Sequence, residues 1–345
     1  MQAIKGWLAT GGPDMNLETN YLGMKLTSPV VVSACPLSED VGNIVQMEDA
    51  GAGAVVMFSL FEEQIVKEDA NFSAVAQSTR NMFAEAADFF PGMDEFHVGP
   101  HEYLEKIRQA KERCSLPIIG SLNGITNHGW IEYASLIEQA GADALEVNIY
   151  FIPADIHSKG CDVEQRYLDI VKAIRKSIGI PVAVKLNPYF SAIGNMARSL
   201  HDAGADGLVL FNRFYQPDFD IHQLKVLPNL QFSDPHEIRL PLLWLAILHG
   251  RIPISLAATS GVNSYNEVVK YLLAGADVTM TASTLYRNGI DYIKNMNEGL
   301  HSWMRHKGFE DLKQFKGAMS HLNISDPTAY ERANYIRILE SKKGH

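Results

Sequence analysis

AGADALEV, at Ala140–Val147, is one of four copies of a single phrase. The others are AGAGAVVM at Ala50–Met57, AGADGLVL at Ala203–Leu210 and AGADVTMT at Ala274–Thr281. Each follows an amphipathic stretch and runs into an apolar one. The glycine suits the position just past a helix, where it takes φ > 0 at little cost, and a tight turn then feeds a buried strand. The four copies predict the second, fourth, sixth and eighth strands of a repeating helix–turn–strand unit. Between them lie four proline-led runs: Pro29-Val30-Val31-Val32, Pro117-Ile118-Ile119-Gly120, Pro181-Val182-Ala183-Val184 and Pro253-Ile254-Ser255-Leu256. Proline can begin a strand but not donate to its ladder, so these are the first, third, fifth and seventh strands.

Short, continuous apolar strands alternating with helical sequence mean a parallel sheet covered on its outside. Eight such units predict closure into a (β/α)8 TIM barrel. The alternative is an open, doubly wound sheet, but no GxGxxG follows the first strand. Two connections exceed a plain βα unit: Ser59 to Leu116, and Asn212 to Arg251 with its aromatics and prolines (Phe214, Tyr215, Pro217, Phe219, Pro228, Phe232, Pro235). Both follow the C-terminal end of a strand, so both are insertions at the catalytic face. We expect one domain over residues 1–345, with the barrel over about 17–317 and a C-terminal extension over about 318–345 that packs on the surface or joins a subunit interface.

The 345 residues are 46% hydrophobic and carry a net charge of −10. An acidic chain argues against nucleic acid and against anionic membranes as partners. The three cysteines, Cys35, Cys114 and Cys161, form no CxxC and are too few for a disulfide framework or an iron–sulfur cluster, so a reducing cytoplasm fits. The N-terminus, Met1 to Asp14, has no apolar core of a signal peptide, and the apolar run near Leu242–Leu248 is far below a membrane span.

In such barrels the chemistry sits at the C-terminal ends of the strands. Those ends read Ser33-Ala34-Cys35, Phe58-Ser59, Asn123-Gly124, Asn148, Lys185, Asn212, Thr259-Ser260-Gly261 and Ala282-Ser283. The last two can cradle phosphate, because small residues let backbone N–H groups approach an anion; ordinary tight turns would read the same way. Lys185 ends the apolar strand VAVKL. A lysine there needs an anionic partner: either a ligand, such as a flavin ring that becomes negative on reduction, or a salt bridge to Glu146. Asn148 and Asn212 each donate and accept, which suits the edge of a flat heterocycle, or else they cap loops. His97 and His101 have metal-ligand spacing, but Gly99 and Pro100 between them argue against a regular helix, and no metal is expected. Cys161 reads as an incidental loop thiol.

At these residues the chain resembles the dihydroorotate dehydrogenase family. AGADALEVN, IPVAVKLNPYF, DGLVLFN and ATSGVNSYNEVVKYLLAGADVTMTASTLYRNG are similar to that family's ELNLSCPN strand, its VKLPPYF lysine strand, its VNS strand end, its GTGGI phosphate loop and its final IGTAL strand. The match runs from about Leu17 to Gly317 and is strongest from Gly120 to Gly289. It looks most like the soluble, class 1 branch, and among these like bacterial proteins called dihydroorotate dehydrogenase-like. The resemblance implies FMN held by Ser33, Ala34, Asn148, Lys185, Ser260, Gly261, Ala282 and Ser283, with Asn148 and Asn212 on a small pyrimidine-like substrate. The family reaction removes a proton from C5 of dihydroorotate and a hydride from C6 to the flavin. A homodimer and a redox partner protein are expected on the same ground.

The substrate half departs from the family. Its base, Cys or Ser in SCPN, falls on Phe151; the asparagine after it falls on Pro153; its strand-2 lysine falls on Phe58; its NSMGLPN loop corresponds to Asp88–Asp94. Phenylalanine accepts no proton, and a positioned base contributes about 10²–10⁴-fold, so dihydroorotate should be oxidised very poorly. The two phenylalanines suggest a more apolar substrate, different from dihydroorotate. If Phe151 faces the flavin, alternation turns Tyr150 away; Tyr150 is the substitute base if the strand end bulges. Besides an FMN oxidoreductase, the sequence admits a flavin-binding barrel without turnover, serving as a regulatory or electron-transfer subunit, and a phosphate-binding barrel without flavin.

Overall fold

A strand that begins with proline leaves the next N–H facing the rim of the sheet with no ladder partner. In this chain the acid of the AGAD phrase takes it. Asp143 accepts from Ile118 N (2.7 Å) and Asp206 from Val182 N (2.9 Å), each directly after its proline; after Pro253 the N–H of Ile254 turns back to Ile252 O (2.9 Å), and Asp277 accepts instead from Leu256 N (2.8 Å), inside β12. Each carboxylate belongs to the strand after the one it serves, so each contact ties neighbouring strands at their N-terminal ends. The first pair has no aspartate: Ser28 Oγ takes Val30 N at 3.0 Å, and Gly53 stands where a Cβ would lie 2.0 Å from Ser28 O. The glycine, present in all four copies, adopts φ of +87°, +98°, +105° and +114° at Gly51, Gly141, Gly204 and Gly275, as the turn requires.

A computed structural model of the protein describes residues 15–62, 64, 99–124, 127–213, 217–227 and 231–331. The barrel strands are β3 (Val30–Val32), β4 (Ala54–Val56), β6 (Ile118–Gly124), β7 (Ala144–Ile149), β8 (Val182–Leu186), β9 (Gly207–Leu210), β12 (Ser255–Ala258) and β13 (Val278–Thr281). All eight are parallel, and β4–β6 and β3–β13 pairings complete the circle. The anticipated barrel is therefore the observed one, and the open sheet is excluded. A short β5 (Leu60–Phe61) adds to the upper end of β6.

Alternation along the strands divides the core in two. Val31, Val56, Ile119, Ala183, Val209 and Met280 fill the inside of the barrel, while Val30, Val32, Ile118, Val147, Val184 and Leu208 face the helices. The helix layer includes α1 (Val41–Asp49), α2 (Pro100–Arg113), α3 (Asn127–Gln139), α4 (Gly160–Ser177), α5 (Ile193–Asp202), α6 (Arg239–Leu248), α7 (Tyr265–Ala274), α8 (Ser283–Asn288) and α9 (Tyr292–Lys307).

A hairpin of β1 (Thr19–Tyr21) and β2 (Met24–Leu26) closes the barrel from below. Tyr21, Leu22 and Leu26 join the inner cluster, and Leu22 N donates to Ser255 Oγ at 3.0 Å, at the start of β12. The opposite end is left as the mouth. A second hairpin, β10 (Asp218–Asp220) with β11 (Lys225–Leu227), stands in the insertion after β9, on that side.

Two local expectations are corrected. Gly99 and Pro100 do not prevent a helix; they start one, with Gly99 as the N-cap and Pro100 in the first turn of α2, where a missing N–H costs nothing. His101 is on that helix, and His97 lies outside the described residues. Cys161 is not in a loop but in the first turn of α4, exposed. The described part of the C-terminal extension packs on α6 and α7, through Met319 N to Leu273 O (2.8 Å) and His321 N to Ala246 O (2.9 Å). Among the described residues, no helix is long and apolar enough to cross a membrane, and no three metal-ligating side chains converge.

Asp143→Ala strands the Ile118 N–H and breaks the ion pair with Lys111 (2.7 Å). A loss of about 1–3 kcal/mol is expected, read as a lower urea midpoint at unchanged slope.

Candidate functional site

Above the apolar floor, the inner faces of β6, β7 and β8 turn polar. Ser121 is in register with Glu146, and Asn123 with Asn148, which is in turn in register with Lys185. Lys185 is 8% exposed. Its Nζ lies 3.2 Å from Glu146 Oε1 and 3.5 Å from Ser33 Oγ. The salt bridge that the sequence allowed is present, and Lys185 nonetheless borders the cavity at the mouth. Asn212 Nδ2 donates to Asn148 Oδ1 at 3.0 Å, so β7 and the end of β9 meet through the two asparagines singled out from sequence. The amide N–H groups of Asn148 remain to donate elsewhere.

The cavity, of about 130 Å³, lies between the ends of β3, β8, β9, β12 and β13. Ser33, Lys185, Asn212, Ser260, Gly261, Ala282 and Ser283 all border it. Ala34 packs on the inner apolar cluster instead, and Asn148 reaches the cavity only through Asn212. A volume of this size holds several waters, or one phosphate group.

The loop after β12 is shaped to offer donors. Ser260 and Gly261 have φ of +75° and +71°; for serine this conformation is strained. The buried Tyr271 of α7 holds the loop by its hydroxyl, 2.8 Å from Ser260 O and 3.3 Å from Thr259 O. Because a peptide plane carries its C=O and N–H on opposite edges, the N–H groups of Ser260 and Gly261 point away from Tyr271. Gly261 is also a steric necessity, since a Cβ would lie 2.6 Å from Asp234 O and 2.7 Å from Ile238 Cγ2.

Ser233 was not singled out from sequence. It comes from the insertion after β9, is 5% exposed, borders the cavity and has its Oγ 3.1 Å from Ser283 Oγ. Arg287 Nη1 holds its carbonyl at 3.0 Å. The available signal was Ser233-Asp234-Pro235-His236-Glu237, a capping box that pins a short helix after a long loop; both of its reciprocal contacts are formed.

Neither phenylalanine at a departed family position borders the cavity. The Phe151 ring lies under the Arg166 guanidinium of α4, 4.1 Å from its centroid. Phe58 is buried edge-on against Tyr103 of α2, centroids 4.9 Å apart. With Phe151 turned outward, Tyr150 falls on the parity of Glu146 and Asn148, one residue past the end of β7. That strand end is pinned by Tyr167 of α4, which donates to Ile149 O (2.8 Å) and accepts from Asn187 Nδ2 (2.9 Å). Burial pushes the Tyr167 hydroxyl up to about 12, so it stays a donor. Ser59 Oγ, beside Phe58, meets Ser121 Oγ at 2.9 Å. Cys35 is buried, and burial pushes its thiol up, away from reactivity. Asp88–Asp94 lies outside the described residues.

The profile of the family described as dihydroorotate dehydrogenase matches residues 82–304. The chain is similar to the catalytic subunit of dihydroorotate dehydrogenase B (NAD(+)) of Methanocaldococcus jannaschii, 27% identical over 300 residues, which is 84% of this chain and 94% of that one. The subunit of the same name from Pyrococcus abyssi is 25% identical over 311 residues, covering 87% and 98%. Subunit PreA of the NAD-dependent dihydropyrimidine dehydrogenase of Escherichia coli is 23% identical over 328 residues, covering 88% and 76%.

An anion in this cavity stabilises the folded state by linkage. Inorganic phosphate should raise the melting temperature of the parent, and Ser283→Asp, which puts a carboxylate in the cavity wall, should abolish the rise.

Proposed function

The chain belongs to the dihydroorotate dehydrogenase family, and on that premise we propose that it is an FMN-dependent oxidoreductase acting on the CH–CH unit of a small, pyrimidine-like substrate. The observation that carries the reading is Lys185, a buried cation facing, across one cavity, a loop whose N–H groups are turned outward by Tyr271. That donor set fits a phosphorylated, flat ring that gains negative charge on reduction. Bound FMN would supply the hydride acceptor. In this reading Ser33, Ala34, Asn148, Lys185, Ser260, Gly261, Ala282 and Ser283 hold it, with Ser233 added by the structure. Lys185 offers positive charge, and Asn148 and Asn212 present amide edges to the substrate.

Proton removal is the weak point. At the family base position stands Phe151, whose half-buried ring lies under the exposed Arg166 guanidinium of α4. On the inner parity of β7 the remaining hydroxyl is that of Tyr150, which we propose as the substitute acid–base group. The same observation favours a second reading, a flavin-binding subunit that does not turn over dihydroorotate. The relatives named as subunits support a redox partner protein under either reading. The acidic charge and free thiols support a cytoplasmic setting.

We also propose a homodimer built on the β10–β11 hairpin. Phe219, Ile221, Leu224 and Val226 there are 64%, 76%, 88% and 57% exposed, and an isolated two-stranded hairpin is marginal in water. Antiparallel pairing of β11 with its twin, centred on Val226, sets Lys225 against Leu227. The same pairing of β10 would oppose Asp218 and Asp220, a like-charge cost. A second copy therefore fits the β11 edge. Val226→Lys should yield a monomer by light scattering, and a monomeric parent would sink the idea.

Purified protein should be yellow with FMN, or become so on incubation with it. Anaerobic addition of reduced pyrimidines, NADH or NADPH should bleach the flavin in at least one case; no bleaching by any donor favours the second reading. With dihydroorotate and fumarate, quinone or a dye, kcat should fall to about 10⁻³–10⁻¹ s⁻¹, which is a median enzyme less a base's contribution. Turnover near ~1 s⁻¹ or faster would refute the claim that this site lacks an effective base.

A further inference from the structure

Glu146 sits one step below Lys185 on the inner wall, in register with Ser121 and Ala183. It is 1% exposed and does not border the cavity. Among the described residues, its Oε1 is bonded to Lys185, and its Oε2 is buried without a partner. From beneath, the buried Tyr21 hydroxyl also lacks a partner and feels the Glu146 charge, which adds to the effect of burial in holding its proton. The carboxylate thus has one compensating group, and that group is the cation at the mouth.

The reverse is also true. An ammonium has three donors. One meets Glu146, one reaches the neutral Ser33 hydroxyl at a weak 3.5 Å, and one is left for the cavity. Glu146 is therefore the charged anchor of Lys185, and it leaves a donor free to serve a ligand.

We propose that Glu146 is a positioning residue that fixes both the place and the effective charge of Lys185, so that the pair, rather than the lysine alone, sets the reduction potential of FMN at the mouth. The inference rests on the flavin reading above. Coulomb energy falls as 1/r, so a carboxylate about twice as far from a point in the mouth as the ammonium removes about half of the ammonium's potential there. The pair is a dipole with its positive end up. It favours the reduced, negative ring moderately, where a bare lysine would favour it strongly.

The test is a potentiometric titration of FMN-loaded parent, Glu146→Gln, Glu146→Asp and Lys185→Met at one fixed pH. Oxidised-FMN affinity is measured alongside by fluorescence. Glutamine keeps the shape and the acceptor but removes the charge. Glu146→Gln should favour reduced over oxidised FMN about tenfold more than the parent does, a rise of ~30 mV on a two-electron couple. Glu146→Asp draws the carboxylate back and should shift the potential the same way by less, and it carries the test if the glutamine variant fails to fold. Lys185→Met should shift it downward. A merely structural Glu146 would lower the melting temperature and leave the potential unmoved; that result overturns the proposal. A parent that takes up no FMN overturns the flavin reading and this inference with it, whereas FMN-loaded variants at the parent potential overturn this inference alone.

Discussion

A proline at the foot of a strand creates an unmet N–H at the next residue, and the placement of the mouth follows from how that N–H is met. Asp143 and Asp206 reach back from the following strand to accept it, Ser28 does so where Gly53 replaces the acid, and Asp277 makes the matching contact to Leu256 N, three residues past Pro253. A strand clamped at its foot has one register with its neighbour. In a sheet of period two, a one-residue slip would turn Glu146, Asn148 and Lys185 from the inside of the barrel into the helix layer. The polar chemistry at the top thus depends on hydrogen bonds at the bottom: Lys185 stands three residues above the clamped Val182, and Asn123 five above Ile118.

The barrel was legible because its strands are short, wholly apolar and punctuated by glycine and proline, signals that act locally. What escaped notice depends on contacts distant in sequence or on exceptions to local rules. The β1–β2 hairpin turns at Leu22, a non-glycine at φ +52°, so it carries no Asn-Gly mark, and its reason to exist is the barrel floor it fills. Ser233 joins Ser283 across fifty residues. Gly99-Pro100 reads as an interruption under the rule against proline in helices and as a helix start under that rule's exception for the first turn. Lys185 illustrates a different limit. Sequence posed ligand and salt bridge as rivals, and a three-donor ammonium serves both.

The two phenylalanines show how a family position can change meaning without emptying the site. The Phe151 ring lies under Arg166, and Phe58 is buried edge-on against Tyr103. The inner wall that remains, from Ser59 and Ser121 through Asn123 to Asn148, is made of neutral hydrogen-bonding groups. Such a wall suits amide and carbonyl edges more than a carboxylate, for which the described cavity offers two cations, Lys185, shared with Glu146, and Arg213, paired with Glu237.

The floor hairpin has a consequence for traffic. With Tyr21, Leu22 and Leu26 sealing the lower end, the described barrel is a well rather than a tunnel. Whatever lies deepest is roofed by whatever arrives next, and nothing can be displaced from behind. Entry and exit share one opening, so occupants leave in the reverse of the order in which they came.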